Sequence, residues 1–111
     1  MKPLSESNCE ACNADAKRLS ANEIESLLKE IPGWKLIVED NIKKLTRSFA
    51  TGNYAKSMAF TNAVAELAEA SDHHPLLIVE YGRVTVVWWS HKIKGLHLND
   101  FIMASRTSDA F

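Results

Sequence analysis

Cysteine is scarce in this 111-residue chain, which carries only Cys9 and Cys12 in a single Cys-Glu-Ala-Cys run. A structural zinc site closes a tetrahedron of four ligands, and no second cysteine pair or neighbouring histidine completes this one. Oxidation, or a metal shared across an oligomer, are the roles left open, and a lone pair in a polar segment selects neither. Long hydrophobic runs are missing too. Nothing approaches the roughly 18 consecutive apolar residues needed to span a bilayer, and the first residues lack the apolar stretch of a secretory signal. Charge of one sign is also lacking, since 13 basic and 14 acidic residues leave a net −1. No basic stripe offers nucleic acid a footprint. The expectation is a cytoplasmic protein with no membrane and no nucleic-acid partner.

The length fits one domain, large enough to bury roughly two-thirds of its unfolded surface. Residues 1–19 are polar and without sustained periodicity, which predicts a flexible N-terminal extension ahead of a folded domain over 20–111. The few prolines and glycines punctuate that domain. Ser20 followed by Glu23 is a capping box. Ile24, Leu27, Leu28 and Ile31 then recur at helical spacing until Pro32-Gly33 stops them. Trp34–Val38 and Ile42–Phe49 read as strands around a Glu39-Asp40-Asn41 turn, with Leu45 and Phe49 on one face and Lys44, Thr46 and Ser48 on the other. Asn53 caps a longer helix running to about Ala70, whose apolar stripe is Phe60, Ala63, Val64, Leu67 and Ala68.

Strands Leu76–Tyr81 and Val84–Ser90 follow, separated by Gly82-Arg83. Glycine at the first of two central positions suits a type II′ turn. That turn sets Tyr81 opposite Val84, Val79 opposite Val86 and Leu77 opposite Trp88, and carries His74 opposite His91 at the open end. Directly opposed side chains have Cβ atoms about 4.5–5.5 Å apart. A last helix spans about Leu98 to Arg106, with His97 as a helix-start residue and Asp100 in its first turn. The order α-β-β-α-β-β-α predicts an α+β single domain: a four-stranded antiparallel sheet with three helices packed on one face.

Three of the four histidines gather at one end of that hairpin, His73 and His74 before it and His91 after it. Imidazole titrates near neutrality, so such a cluster gives and takes protons without strong tuning. Pro75 biases His74 toward extended backbone and marks where the preceding helix stops. A lone histidine near a helix end is more often a capping or surface group. The alignment of His74 with His91 argues otherwise here. Asp100 in a helix's first turn favours the macrodipole by roughly 0.3–1 kcal/mol whatever else it does. Trp88 and Trp89 point to opposite faces, one toward the core and the other toward a pocket or subunit contact.

Asp72-His73-His74-Pro75, then His91, Gly95-Leu96 and Asp100, resemble the signature of the pterin-4a-carbinolamine dehydratases, over about Ser20 to Arg106. The resemblance implies a hydro-lyase that dehydrates 4a-hydroxytetrahydrobiopterin to quinonoid dihydropterin and so recycles the cofactor of aromatic amino acid hydroxylases. It implies no metal or organic cofactor, a homodimer or homotetramer, and a functional link to such a hydroxylase. By that likeness His73 and His91 form the proton-transfer pair and His74 binds the ring and assists, all three counting as catalytic. Asp100 and Glu69 orient imidazoles, and Trp89 joins His74 in binding substrate. Many members carry an aromatic residue where this chain has Leu77, which alters the pocket wall but not the proton chemistry. Two rival readings are a dimerisation or coactivator module, as in some animal relatives, and a His/Asp metal site. Adjacent histidines on an extended strand point to opposite faces and make poor joint ligands.

Overall fold

A computed structural model of the chain describes residues 18–111. The Cys9/Cys12 motif, and the expected extension up to residue 17, lie outside the described residues. At the start of the described chain Leu19 is already tied in, its N–H donating to the Leu96 carbonyl at 2.9 Å.

The first helix, α1 (Ala21–Leu28), starts at the expected capping box. Ser20 Oγ accepts the Glu23 N–H at 3.2 Å while Glu23 Oε1 accepts the Ser20 N–H at 3.0 Å. Strands β1 (Lys35–Glu39) and β2 (Ile42–Ala50) are joined by Asp40 and Asn41, both at positive φ (52° and 64°). Two consecutive residues of that kind make the turn whose twist suits a hairpin. Asn53 caps α2 (Tyr54–Ser71), its Oδ1 accepting the Lys56 N–H at 2.8 Å. Strands β3 (Leu76–Glu80) and β4 (Arg83–Trp88) and helix α3 (Leu98–Ala110) complete the order α-β-β-α-β-β-α.

The four strands pair antiparallel in the order β1-β2-β4-β3, so β1 and β3 are the edges. One face is packed. Leu45 and Phe49 of β2 and Val84, Val86 and Trp88 of β4 meet Phe60, Val64 and Ala68 of α2 and Phe101, Met103 and Ala104 of α3. Burying each large apolar side chain contributes roughly 1.5–3 kcal/mol. The fold is therefore α+β with the three helices on one side of the sheet. Among the described residues no helix is long and apolar enough to cross a membrane.

The β3–β4 hairpin corrects one expectation. Its register pairs Leu77 with Val86, Val79 with Val84 and Glu80 with Arg83, so the central residues are Tyr81 and Gly82, not Gly82 and Arg83. Neither has positive φ, which excludes a type II′ turn. The ladder has slipped by two residues. Such a slip leaves every side chain on its own face, so the alternation of apolar residues cannot detect it. Tertiary bonds hold the tip instead. Ser57 Oγ donates to the Tyr81 carbonyl at 3.1 Å, and the Thr51 and Gly52 N–H groups donate to the Gly82 carbonyl at 2.9 and 3.3 Å.

Helix α3 also runs four residues beyond the expected Arg106, to Ala110. Its polar end is held by side-chain partners that the sequence pattern does not display. Trp88 Nε1 donates to Thr107 Oγ1 at 3.1 Å, and both Trp34 Nε1 and Arg47 donate to Ser108 Oγ at 2.9 Å.

Candidate active site

The end of α2 delivers the first histidine. Asp72 sits in the left-handed region (φ 48°) directly after the helix. The Asp72 N–H donates to the Glu69 carbonyl at 3.3 Å and the His73 N–H to the Ala68 carbonyl at 3.1 Å. This bond pair is the Schellman pattern, with aspartate where glycine is commoner. It turns the chain sharply and pins the backbone of His73 before Pro75 sends it into β3. Ser90 and Gly95 clip the base of the loop carrying His91, with N–H to carbonyl bonds of 2.9 and 3.4 Å in the two directions.

These two junctions meet. Asp72, His73, His74, His91 and Lys92 line one cavity of about 340 Å³. With the corrected register His74 no longer falls opposite His91, but the contact between the two survives in another form. His91 Nε2 lies 3.2 Å from the main-chain oxygen of His74. A larger hollow of about 440 Å³ lies between α2 and the C-terminal Phe111, lined mostly by alanine and phenylalanine with Lys56 and Thr51. None of its lining side chains is an imidazole or a carboxylate, whereas the smaller cavity gathers three imidazoles.

The imidazoles share a bonding scheme. His73 Nε2 is 2.6 Å from Asp100 Oδ1, His74 Nε2 is 2.6 Å from Glu69 Oε1, and His91 Nε2 faces the His74 carbonyl. A carbonyl and an ionised carboxylate can only accept, which assigns the proton to Nε2 in all three rings. Each neutral ring therefore keeps its lone pair on Nδ1. The environments differ. The side chains of His73 and Asp100 are 3% and 0% exposed, those of His74 and Glu69 52% and 79%.

Asp100 carries more than one duty. Its Oδ2 accepts the His97 N–H at 2.9 Å, completing a capping box at the start of α3, and the Ser90 hydroxyl at 2.7 Å. His97 is the N-cap, as expected, its Nδ1 accepting the Asn99 N–H at 3.2 Å. Trp88 is buried in the core and lies parallel to the His73 ring, at 5.5 Å and 5°. Trp89 points the other way, with the His91 ring 4.3 Å from it and the Lys44 ammonium 4.2 Å above it. It braces His91 and is not among the residues lining the cavity. Ser90, Lys92 and the stacking of Trp88 on His73 were not anticipated. Ser90 could have been found only from its adjacency to His91. Among the described residues no group of three or more His, Cys, Asp or Glu side chains is placed to hold a metal ion.

The family model described as "Pterin 4 alpha carbinolamine dehydratase" matches residues 17–110. A Nitrosococcus oceani protein named "Putative pterin-4-alpha-carbinolamine dehydratase" is 52% identical over 107 residues, covering 96% of this chain and 95% of that protein. A Brucella melitensis crystal structure, titled a transcriptional coactivator/pterin dehydratase, superposes with a TM-score of 0.77 at 30% identity, covering 85% of this chain and 98% of that one. A pterin dehydratase-like protein, identified by its title as a RuBisCO assembly factor in the alpha-carboxysome, reaches a TM-score of 0.60 at 23% identity. It covers 70% of this chain and 88% of its own, and at that identity it speaks for the fold alone.

Proposed function

The chain belongs to the pterin-4-alpha-carbinolamine dehydratase family, and we propose that it dehydrates 4a-hydroxytetrahydropterins, with 4a-hydroxytetrahydrobiopterin as the expected substrate. The supporting observation is the shared contact of Nε2 with an oxygen, from which one tautomer is assigned to all three rings. Three imidazoles line one cavity, each with Nε2 against an oxygen, which leaves Nδ1 as the acceptor nitrogen of each neutral ring.

The reaction breaks the C4a–O bond and the N5–H bond, forms a C4a=N5 double bond and releases one water. Hydroxide leaves poorly, so an imidazolium protonates the departing oxygen while a neutral imidazole takes the N5 proton through Nδ1. One proton is given and one received, and the pair needs only to re-equilibrate with solvent. Each positioned proton-transfer group typically contributes about 10²–10⁴-fold. His73 and His91 fill these roles, and His74 holds the ring and assists. Acid groups on either side let the site accept a hydroxyl on either pterin face. The Asp100 carboxylate stabilises His73 whenever its ring carries charge, and Glu69 orients His74 from the more exposed rim.

This reading brings with it a homo-oligomer, a cytoplasmic setting and a supply of substrate from an aromatic amino acid hydroxylase. A role confined to partner binding gives no reason for three imidazoles to share one hollow. The test follows 4a-hydroxypterin decay by ultraviolet absorbance for wild type and the His73→Ala, His74→Ala and His91→Ala variants. All three should lose activity, His73→Ala and His91→Ala most, by about 10²-fold or more. Wild-type decay no faster than buffer overturns the assignment.

A further inference from the structure

We infer that Ser90 is a positioning residue, whose buried hydroxyl locks the Asp100 carboxylate so that His73 keeps its proton on Nε2 and its lone pair on Nδ1. The kinetic part of this inference rests on the dehydratase reading; the structural part does not.

Ser90 is 0% exposed and its Oγ lies 2.7 Å from Asp100 Oδ2. Its backbone is paired in both directions with Gly95, which leaves side-chain rotation as its main freedom. Rotation is then limited by the hydroxyl's own bond. A capping box needs one donor to its carboxylate, and the His97 N–H already supplies it at 2.9 Å. The serine hydroxyl is a further donor, drawn from the strand end and not from the helix. Two donors on Oδ2, arriving from different elements, fix the carboxylate plane. Oδ1 is then aimed at His73 Nε2, 2.6 Å away.

Loss of the hydroxyl has a definite consequence. Oδ2 would keep a single donor, and the carboxylate could swing about its Cβ–Cγ bond away from His73. An imidazole that no longer donates from Nε2 populates the other neutral tautomer, with the proton on Nδ1. That form removes the Nδ1 lone pair on which the proposed proton transfer depends. Ser90 thus acts on the reaction through Asp100 and His73, without touching the pterin.

Full-length Ser90→Ala and Ser90→Cys variants test this by steady-state dehydration and by ¹⁵N shifts of the histidine rings. At metal sites, removing the hydrogen-bond partner that orients a ligating histidine costs about 10–100-fold in activity, and the lower end of that scale is expected for an orienting group one bond further out. Ser90→Ala should therefore lower kcat about tenfold or more with KM changed by less than about twofold. The His73 nitrogens should move from the widely separated shifts of one tautomer toward averaged values. Cysteine, similar in size but a weaker donor, should fall between alanine and wild type. A folded Ser90→Ala protein with wild-type kcat and an unaveraged His73 overturns the inference. If Ser90→Ala does not fold, wild-type values of both quantities in Ser90→Cys overturn it equally. Should the wild type show no turnover, the dehydratase reading falls while the ring shifts still decide the role of Ser90.

Discussion

His73 Nε2 and Asp100 Oδ1 stand 2.6 Å apart although 27 positions separate them in the chain, and both side chains are buried. The same carboxylate caps α3, so the helix start and the candidate proton-transfer group are built on one side chain. Asp100→Asn keeps the shape and removes the charge. The carboxamide can accept through one oxygen only, so at least one of the His73, Ser90 and His97 donors loses its partner. Leaving a buried donor unsatisfied costs about 1–3 kcal/mol. The expected result is a lowered thermal midpoint together with a kcat reduced about 10–100-fold at nearly constant KM. Calorimetry and steady-state kinetics on the one variant check both halves.

Glu69 and His74 make a pair of the same length, 2.6 Å, in a different setting. With side-chain exposures of 79% for Glu69 and 52% for His74, water competes for both partners. Exposed ion pairs contribute about 0–1 kcal/mol. Glu69→Gln should therefore change kcat by less than about threefold, and stability by less than about 0.5 kcal/mol. A large loss in that variant, measured beside Asp100→Asn, would show that the rim pair matters as much as the buried one.

Two glycines separate the observed hairpin register from the one the turn residues suggested. Gly82 lies outside the positive-φ region, and an added Cβ would meet nothing closer than the Gly52 backbone at 3.8 Å. Gly52 has φ 88°, with open space where its Cβ would stand. Alanine at position 82 should be neutral or stabilising by about 0.4–1 kcal/mol, through the entropy of the unfolded chain. Alanine at position 52 should destabilise by about 1–2 kcal/mol, since only its backbone conformation resists. The denaturant midpoint of Gly82→Ala tests the register, and that of Gly52→Ala the strained backbone packed against it. A type II′ turn would reverse the expectation for Gly82→Ala, because its first central residue requires positive φ.

Much of this fold was legible because short-range physics wrote it. The Ser20/Glu23 box, the Asn53 cap and the stripe Phe60, Val64 and Ala68 each depend on residues within a turn or two of one another, and the structure carries all of them. The convergence of His73, His74 and His91 was legible for a related reason: a helix stop at Pro75 and a hairpin return must bring both junctions to the same end of the sheet. The hairpin register was not, because Thr51 and Ser57 hold its tip from another part of the chain. The last turn of α3 was hidden likewise, its polar residues finding Trp34, Arg47 and Trp88 only after folding. Ser90 looks like an ordinary strand-end serine until Asp100 arrives beside it.

The capping box of α1 offers a test of pH dependence in which one group can be isolated. The Ser20 N–H and, secondarily, its hydroxyl hold the exposed Glu23 carboxyl below its usual pKa of 4.5. A carboxyl whose pKa is lowered in the folded state stabilises the fold fully at pH values above its unfolded pKa; between the two pKa values the unfolded chain binds more protons than the native one, and the contribution is lost there. That contribution declines as pH falls past 4.5 and is gone once the pH is below the folded value as well. Glutamine at position 23 can still accept the Ser20 N–H but cannot titrate. All other groups titrate alike in the two proteins and cancel in the difference. The stability gap between wild type and Glu23→Gln should therefore be constant above about pH 5.5 and should narrow steadily on acidification below it. Urea midpoints of both proteins at pH 6.5 and at about pH 3.5 measure the gap; one that stays unchanged between them would remove the carboxylate's charge from the account of how α1 begins.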